Sequence, residues 1–468
     1  MTRVENDRGY TTYDPATADQ LTCSSADDVR PISPWARRSL ARAVAQQAVI
    51  YGLPSVYQYA SMCAQCAPDD EEAPWRLNEL EHARRPADAR YQPFRVPNVD
   101  TLYSNGWLDL TAGPVIIDLP DFGDRYYTLN FLDAYSNASN VSARTHPVQP
   151  RRLMVATTTW AGDIPATVDL LRVATPVMWL LLRIQYFDVH EDLHVVHQIQ
   201  DDVAVNAPAT GTRRWPVVDQ GTVETSPDEF LVALNASLRI NGVPHTDAAH
   251  VDQFRILGVS PSPAVTRPEA DPDVVQGIRD GFHDAMRLLK ESRPLLGRKT
   301  ASGWTRVLDK GAHGTNFVAR AVMNLVGLGA NVVEENCSYN TYVDANATVL
   351  DGGVASYRIG LSTPPPAHAF WSITLYDADT GLLYDAPGGR HSIGTAVNRT
   401  DEHDGFPDIV VSTDRPQAAD QEWLPCPAKP FFLVLRIYQP ARSALREEWT
   451  PPPVEKLEER ATAKPNSA

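Results

Sequence analysis

The sequence predicts a multidomain α+β protein: two similar antiparallel β-sandwich domains, jelly-roll-like, with an N-terminal helical segment and a helical connector. Three observations carry this. Residues Tyr126–Ala134 agree in residue class with Phe370–Ala378 at nearly every position, and both stretches end in Asp-Ala. Further along, Trp179–Ile184 matches Phe432–Ile437 in the same order, and both contain Leu-Arg-Ile. Between and before these pairs the apolar period is helical; around them it is that of strands. One supersecondary unit used twice explains all three, and the seam between two such units is a favoured place for a pocket.

The elements follow in order. Residues 1–30 are polar and are expected to be poorly ordered. A helical segment, 31–95, opens with Ser33 as N-cap and Pro34 at the first helical position. Gly52-Leu53-Pro54 predicts a break, with a second apolar stretch through Met62 and a solvated loop from Asp69 to Arg90. The first β domain spans 96–205. Within it Val115–Leu119 and Tyr126–Ala134, separated by turn residues, read as a hairpin, and Met178–Phe187 as a strand buried on both faces. Val189–Asp201 reads as a short amphipathic helix. The connector, 206–334, contains a helix capped by Ser226-Pro227-Asp228-Glu229, another over Asp273–Lys290, and one from Phe317 to Leu328 ended by Gly329. The second β domain spans 335–450, and the Pro/Glu/Lys-rich tail 451–468 is expected to be disordered.

Alternation assigns faces on the repeated strand. Tyr127, Leu129, Phe131 and Asp133 share one side, as do Trp371, Ile373, Leu375 and Asp377. Thr128 and Asn130, like Ser372 and Thr374, share the other, which is expected to face solvent, with a wet cavity as the alternative.

Composition narrows the function classes. With 43% hydrophobic and 21% charged residues the chain is an ordinary globular protein. No run approaches the roughly 20 apolar residues of a membrane span, and the start lacks the apolar core of a secretory signal. A cytoplasmic location is the expectation, without a membrane partner. A net charge of −16 argues against nucleic acid as partner. The five cysteines fit reduced thiols, and the lone Cys63-x-x-Cys66 has neither a redox nor a zinc context.

Several stretches resemble a known family. Val96–Ser104, Trp107–Leu110, Gly113-Pro114-Val115 and Gly123–Tyr127 resemble the DUF1254 domain. Phe370–Asp377, Ser392-Ile393-Gly394, Trp423-Leu424-Pro425 and Pro430–Pro440 resemble its usual partner, DUF1214. The resemblance implies two β-sandwich-like domains joined and flanked by helices. It implies no agreed activity. Two departures from the family pattern are His368 and the Gly389-Arg390-His391 stretch.

The candidate chemistry is weighed against structural roles. His190-Glu191-Asp192-Leu193-His194 has the H-E-x-x-H form, yet no third ligand follows, so a surface helix is preferred and no metal is expected. No G-x-S-x-G elbow, Walker loop or dinucleotide fingerprint is present, and no cofactor is expected. Arg183 and Arg436, inside apolar strands, need a carboxylate; Asp133 and Asp377 are the expected partners, with an anionic-substrate clamp as the alternative. As catalytic candidates we take His368, His391, Asp100 and Tyr103; as substrate-binding candidates Trp371, Tyr376, Arg390, Tyr127, Asn130 and Arg125. The expected function is a cofactor-independent hydrolase, lyase or isomerase acting on a small organic metabolite by acid/base chemistry. Non-catalytic small-molecule binding or scaffolding is the alternative. A homo-oligomer is compatible with either.

Overall fold

The computed structural model of the chain describes residues 31–68, 73–91, 95–187, 191–209, 213–263, 265, 271–395, 407–418 and 421–459, with the paired dipeptides Val4–Glu5 and Thr11–Thr12. Helix α1 runs Pro34–Cys66, capped by Ser33, whose hydroxyl oxygen accepts from the Ala36 N–H at 3.2 Å. The break predicted at Gly52-Leu53-Pro54 is absent. Tyr51, Leu53 and Val56 are buried, and a Cβ on Gly52 would meet Leu234 at 2.7 Å. Packing on both sides of Pro54 offsets the N–H that proline lacks.

The first β unit comprises β1 (Glu81–His82), β2 (Thr101–Asp109), β3 (Val115–Asp118), β4 (Tyr127–Leu132), β5 (Ala138–Ser142), β6 (Arg152–Thr157), β7 (Asp169–Val173), β8 (Val177–Gln185), helix α2 (Leu193–Asp201) and β9 (Ala204–Asn206). The connector holds α3 (Pro227–Asn241), α4 (Ala248–Asp252), α5 (Pro272–Ser292), β10 (Arg298–Lys299), β11 (Thr305–Arg306) and α6 (Phe317–Val326). The second unit comprises β12 (Asn336–Thr341), β13 (Ala355–Ile359), β14 (Trp371–Asp377), β15 (Ser392–Gly394), β16 (Ile409–Ser412), β17 (Glu422–Pro425), β18 (Phe431–Tyr438), α7 (Arg442–Leu445) and β19 (Glu455–Glu459).

The duplication holds strand for strand. The first unit has sheets ordered β1-β2-β8-β4-β5 and β9-β3-β6-β7; the second has β10-β11-β12-β18-β14-β15 and β17-β16-β13-β19. Thus β2 to β9 recur in chain order as β12 to β19, and α2 recurs as α7. Register agrees as well: Arg183 lies opposite Thr128 and Arg436 opposite Ser372. Each pair of sheets closes on one apolar cluster, with Leu129, Phe131 and Leu180 meeting Val115, Leu153 and Val155 in the first unit. In the second, Ile373, Leu375 and Leu435 meet Ile359, Ile409 and Val411. Fully buried faces of alternating side chains hold both pairs together.

Four expectations need correction. The sheets are not wholly antiparallel, because β6–β7 and β16–β17 pair in parallel. Val115–Asp118 and Tyr127–Leu132 are not a hairpin: β3 pairs with β6 and β9, whereas β4 pairs with β5 and β8. Phe122, buried and stacked on Tyr127 at 4.1 Å, makes the intervening loop a crossing between the sheets. The tail is ordered through Glu459, since β19 pairs with β13. Finally, Thr128, Asn130, Ser372 and Thr374 are at most 1% exposed. Their face is interior, covered by the connector and by the other repeat.

The helices form a further layer. Gly277 and Gly281 let α5 lie directly on α1, and a Cβ on Gly281 would meet the Arg42 carbonyl oxygen at 2.2 Å. Arg38–Asp280 and Arg42–Asp284 pairs line the rim of this contact. Among the described residues no helix is long and apolar enough to cross a membrane.

Candidate functional site

The arginines that the repeat places at equivalent positions carry the site. Neither meets the carboxylate expected for it. Asp133 instead accepts from the backbone N–H groups of Tyr135 and Asn137 and from the Asn137 amide. Asp377 accepts from Asp379, Thr380 and Lys429. Both aspartates end their strands by capping a turn, which accounts for the shared Asp-Ala without any ion pair to arginine.

Each arginine is held instead by the segment that leads into the other repeat. Arg183 donates to the Gly329 carbonyl at 2.8 Å and to Asn331 Oδ1 at 3.3 Å, and packs over the Tyr103 ring. Arg436 donates to the Val96 carbonyl at 2.8 Å and to the Tyr376 hydroxyl at 2.9 Å. The acidic groups cross in the same way. Asp100, leading into the first unit, accepts from Ser372 Oγ of the second at 2.6 Å. Glu335, leading into the second, accepts from Ser142 Oγ of the first at 2.8 Å and from Arg144 at 2.9 Å.

Between these crossed contacts lies a cavity of about 110 Å³, on a scale where one water needs roughly 10–15 Å³. Its floor is polar: Arg183, Arg436, Lys310, Asn336, Ser338, Tyr103 and Tyr438. Its mouth is half-buried and apolar, with Leu296, Met323, Val326 and Leu328, and Arg95 at the rim. Lys310 Nζ donates to Asn336 Oδ1 and to Ser338 Oγ, each at 2.9 Å. Among the described residues, every hydrogen bond made by the Arg183, Arg436 and Lys310 heads goes to a neutral partner. Burying cations whose hydrogen bonds go only to neutral groups is costly. Asn336 adds a buried side-chain N–H₂ without a partner.

Ionisation follows burial. The Lys310 ammonium is pushed down to about 7 by desolvation, with Arg436 and Arg183 adding to the effect and Cys337 opposing it. Burial pushes the Asp100 carboxyl up, against the Ser372 hydroxyl and the Arg436 charge. Cys63 and Cys66 lie buried on α1, where burial raises their thiols to about 11 and about 12.

Of the sequence candidates, Asp100, Tyr103, Tyr376 and Asn130 come together around the seam. Tyr103 lines the cavity, its hydroxyl accepting from the Asn98 N–H at 3.0 Å and side-chain amide at 2.8 Å. Tyr376 holds Arg436, and the Asn130 amide donates to the Gly329 and Ala330 carbonyls. The rest lie elsewhere. Tyr127 and Trp371 belong to the two sheet–sheet cores. Arg125 pairs with both oxygens of Asp192 at 2.5 and 2.6 Å, and Arg390 pairs with Glu422. His368 is exposed before β14, whereas His391 is buried beside Leu375. His368 lies in a bend ahead of the strand, whereas the His391 carbonyl accepts from the Leu375 N–H within it. Burial pushes the His391 imidazole down, with Asp88 and Asp385 opposing.

In the H-E-x-x-H stretch, His190 lies outside the described residues, and Asp192 is committed to Arg125 and to the Phe187 N–H. Among the described residues no three His, Cys, Asp or Glu side chains gather as metal ligands. Sequence reasoning missed Lys310, Asn336 and Ser338. The asparagine and serine occupy alternating positions of β12, but nothing in the sequence around Lys310 says that its loop enters the seam.

The fold is similar to that of the VPA0106 protein from Vibrio parahaemolyticus, at 24% identity and a TM-score of 0.65, over 89% of this chain and 100% of that one. An uncharacterized protein from Burkholderia cenocepacia aligns over 94% of this chain and 93% of its own at 11% identity, with a TM-score of 0.41. No functionally curated protein sequence matches. The domain described as "Protein of unknown function (DUF1254)" matches residues 77–207, and that described as "Protein of unknown function (DUF1214)" matches residues 335–442. With both domains present, in this order and on the two repeats, the chain belongs to the DUF1254/DUF1214 family.

Proposed function

We propose that the protein is an enzyme that acts on a small organic anion in the cavity between the repeats, by acid/base chemistry of the hydrolase, lyase or isomerase type. One observation carries this reading: Arg183, Arg436 and Lys310 converge on one cavity with only neutral hydrogen-bonding partners. A carboxylate or similar anion would supply the missing charge and accept from the guanidinium forks. Groups whose environments draw their ionisation towards neutrality are suited to moving protons, and Lys310 and Asp100 are both drawn that way. Tyr103 stands on the wall as donor, and Tyr376 and Asn130 position the arginine and the floor. The reading calls only on residues of this chain.

Binding without turnover is favoured by one feature. Asp100 is tied to Ser372 behind the wall and does not itself line the cavity. With the reading go a cytoplasmic location and a jelly-roll-like assignment for each pair of packed sheets.

Titration calorimetry with a panel of small mono- and dicarboxylates tests it. Arg436→Met and Arg183→Met should each weaken the best ligand by about tenfold or more, the usual worth of a hydrogen bond to a charged group. Equal affinity in all three proteins would place binding outside the seam. Turnover of the bound compound, followed by NMR, separates the enzyme from the binding protein.

A further inference from the structure

The geometry points to Lys310 as a nucleophile that forms an imine with a 2-oxo acid bearing a short apolar substituent. This rests on the anion-binding reading of the seam and names its substrate class. Three features of the site carry it.

First, the hydrogen bonds around the amine suit its neutral form. Asn336 Oδ1 accepts from both Lys310 Nζ and the Ser338 hydroxyl at 2.7 Å, so Ser338 Oγ is free to accept from the amine. Two acceptors take the two N–H bonds of a neutral amine and leave its lone pair for the cavity. Among the described residues no carboxylate pairs with the nitrogen to hold a third proton there, and burial disfavours the charge further.

Second, the loop that carries Lys310 is wedged in place. Gly311 has a φ of +68°, and a Cβ there would meet Ala138, Asn331 and Val332 at 3.1 Å. Its carbonyl also accepts from the Ala138 N–H at 2.7 Å. The amine is therefore positioned from a rigid turn between the two repeats and not from a free loop.

Third, the cavity surrounds the amine with what a 2-oxo acid presents. The guanidinium groups of Arg183 and Arg436 meet the carboxylate. The unpartnered Asn336 N–H₂ meets the oxygen that leaves the carbonyl. Leu296, Met323, Val326 and Leu328 receive an apolar substituent at the mouth.

The step balances within these groups. The amine nitrogen bonds to the carbonyl carbon as the C=O π pair moves to oxygen. Both amine protons pass to that oxygen, which departs as water, and a C=N bond remains. Water then adds to the C=N bond and breaks it, which returns the free amine and a carbonyl compound.

Reductive trapping tests the idea. The full-length protein is incubated with 2-oxobutanoate and sodium cyanoborohydride, then intact mass and a peptide map are recorded. The expected result is one adduct per chain, heavier by the ligand less one oxygen atom, mapped to Lys310 and absent in Lys310→Met. With 2-butanone, which lacks the carboxylate, labelling of Lys310 should be at least about tenfold slower. The wild-type peptide map decides the site even where the variant fails to fold. Labelling that falls on other lysines, or persists in Lys310→Met, overturns the proposal. A raised melting temperature with 2-oxobutanoate but no adduct at Lys310 overturns the imine and leaves the anion site standing. No thermal shift with any small carboxylate, and no adduct, overturns both.

Discussion

The two repeats share strand order, register and even their single parallel pair, yet they present different surfaces to the seam. The register puts Tyr103 of β2 opposite Arg183 and Ser338 of β12 opposite Arg436. In the first unit the large ring fills the space beneath its arginine. In the second the serine leaves room, and Lys310 reaches in from the connector. Arg436 takes its aromatic partner from β14 instead, where Tyr376 stands and the first unit has Leu132 at the matching position. Duplication supplied two equal frames. A few side-chain sizes at matched positions then placed one cavity in the second frame, floored by cations from both.

The crossed carboxylates offer the strongest test of that comparison. Counting back three residues from Tyr103 and Ser338 gives Asp100 and Glu335, each reaching a serine of the other unit. Glu335→Ala leaves the buried Ser142 hydroxyl and the exposed Arg144 without their shared charged acceptor, and should cost roughly 3 kcal/mol in a denaturant titration. Asp100→Asn should cost only about 1 kcal/mol, because burial already draws that carboxyl towards its neutral form. Equal losses would show that the two clasps are equivalent in energy as well as in position.

Ser338→Tyr would make the second frame imitate the first. A ring beneath Arg436 should fill the cavity and weaken carboxylate binding by about 100-fold, near 2.7 kcal/mol by calorimetry. Retained affinity would mean that the ligand does not sit over β12.

Gly311→Ala probes the turn wedged between the units. A left-handed backbone together with contacts at 3.1 Å should cost about 2 kcal/mol in thermal or chemical denaturation. A change within about 0.5 kcal/mol would show that the turn relaxes freely.

The most gradual effect, spread over several pH units, concerns pH. The folded pKa of Lys310, about 7, lies below the roughly 10.4 of an unfolded lysine. Between those values the unfolded chain binds one proton more, so stability rises with pH; below about 7 the full cost of burying the cation is felt. The wild type should therefore gain up to about 1.4 kcal/mol per pH unit more than Lys310→Met between pH ~8 and ~10. Parallel pH profiles of the two proteins would count against an uncharged Lys310.

Much of the frame was legible in the sequence. Strand faces followed from alternation, because a side-chain period of two is imposed by the backbone itself. The match of Tyr126–Ala134 with Phe370–Ala378 forecast a second copy that retains even the Arg183/Thr128 and Arg436/Ser372 register. The helix caps at Ser33 and Ser226 were legible for the same local reason. Other features resisted. Pro54 reads as a helix breaker until Leu234 and the surrounding core hold the helix through it. Val115–Leu119 and the following strand read as a hairpin until the loop around Phe122 is seen crossing from one sheet to the other.

The site divides along the same line. The sequence by itself determined that two arginines occupy matched places in two matched strands, and that polar residues share their face. Only the tertiary structure decided that those faces meet across a seam, that Asp133 and Asp377 cap turns and leave the arginines unpaired, and that Lys310 joins them. The reason is physical. Local pattern records which side of a strand is apolar, a property of neighbours two residues apart. Charge pairing and cavity shape depend on segments far apart in the chain, such as Val96 with Arg436 and Lys310 with both arginines, and no local period encodes which of them will meet.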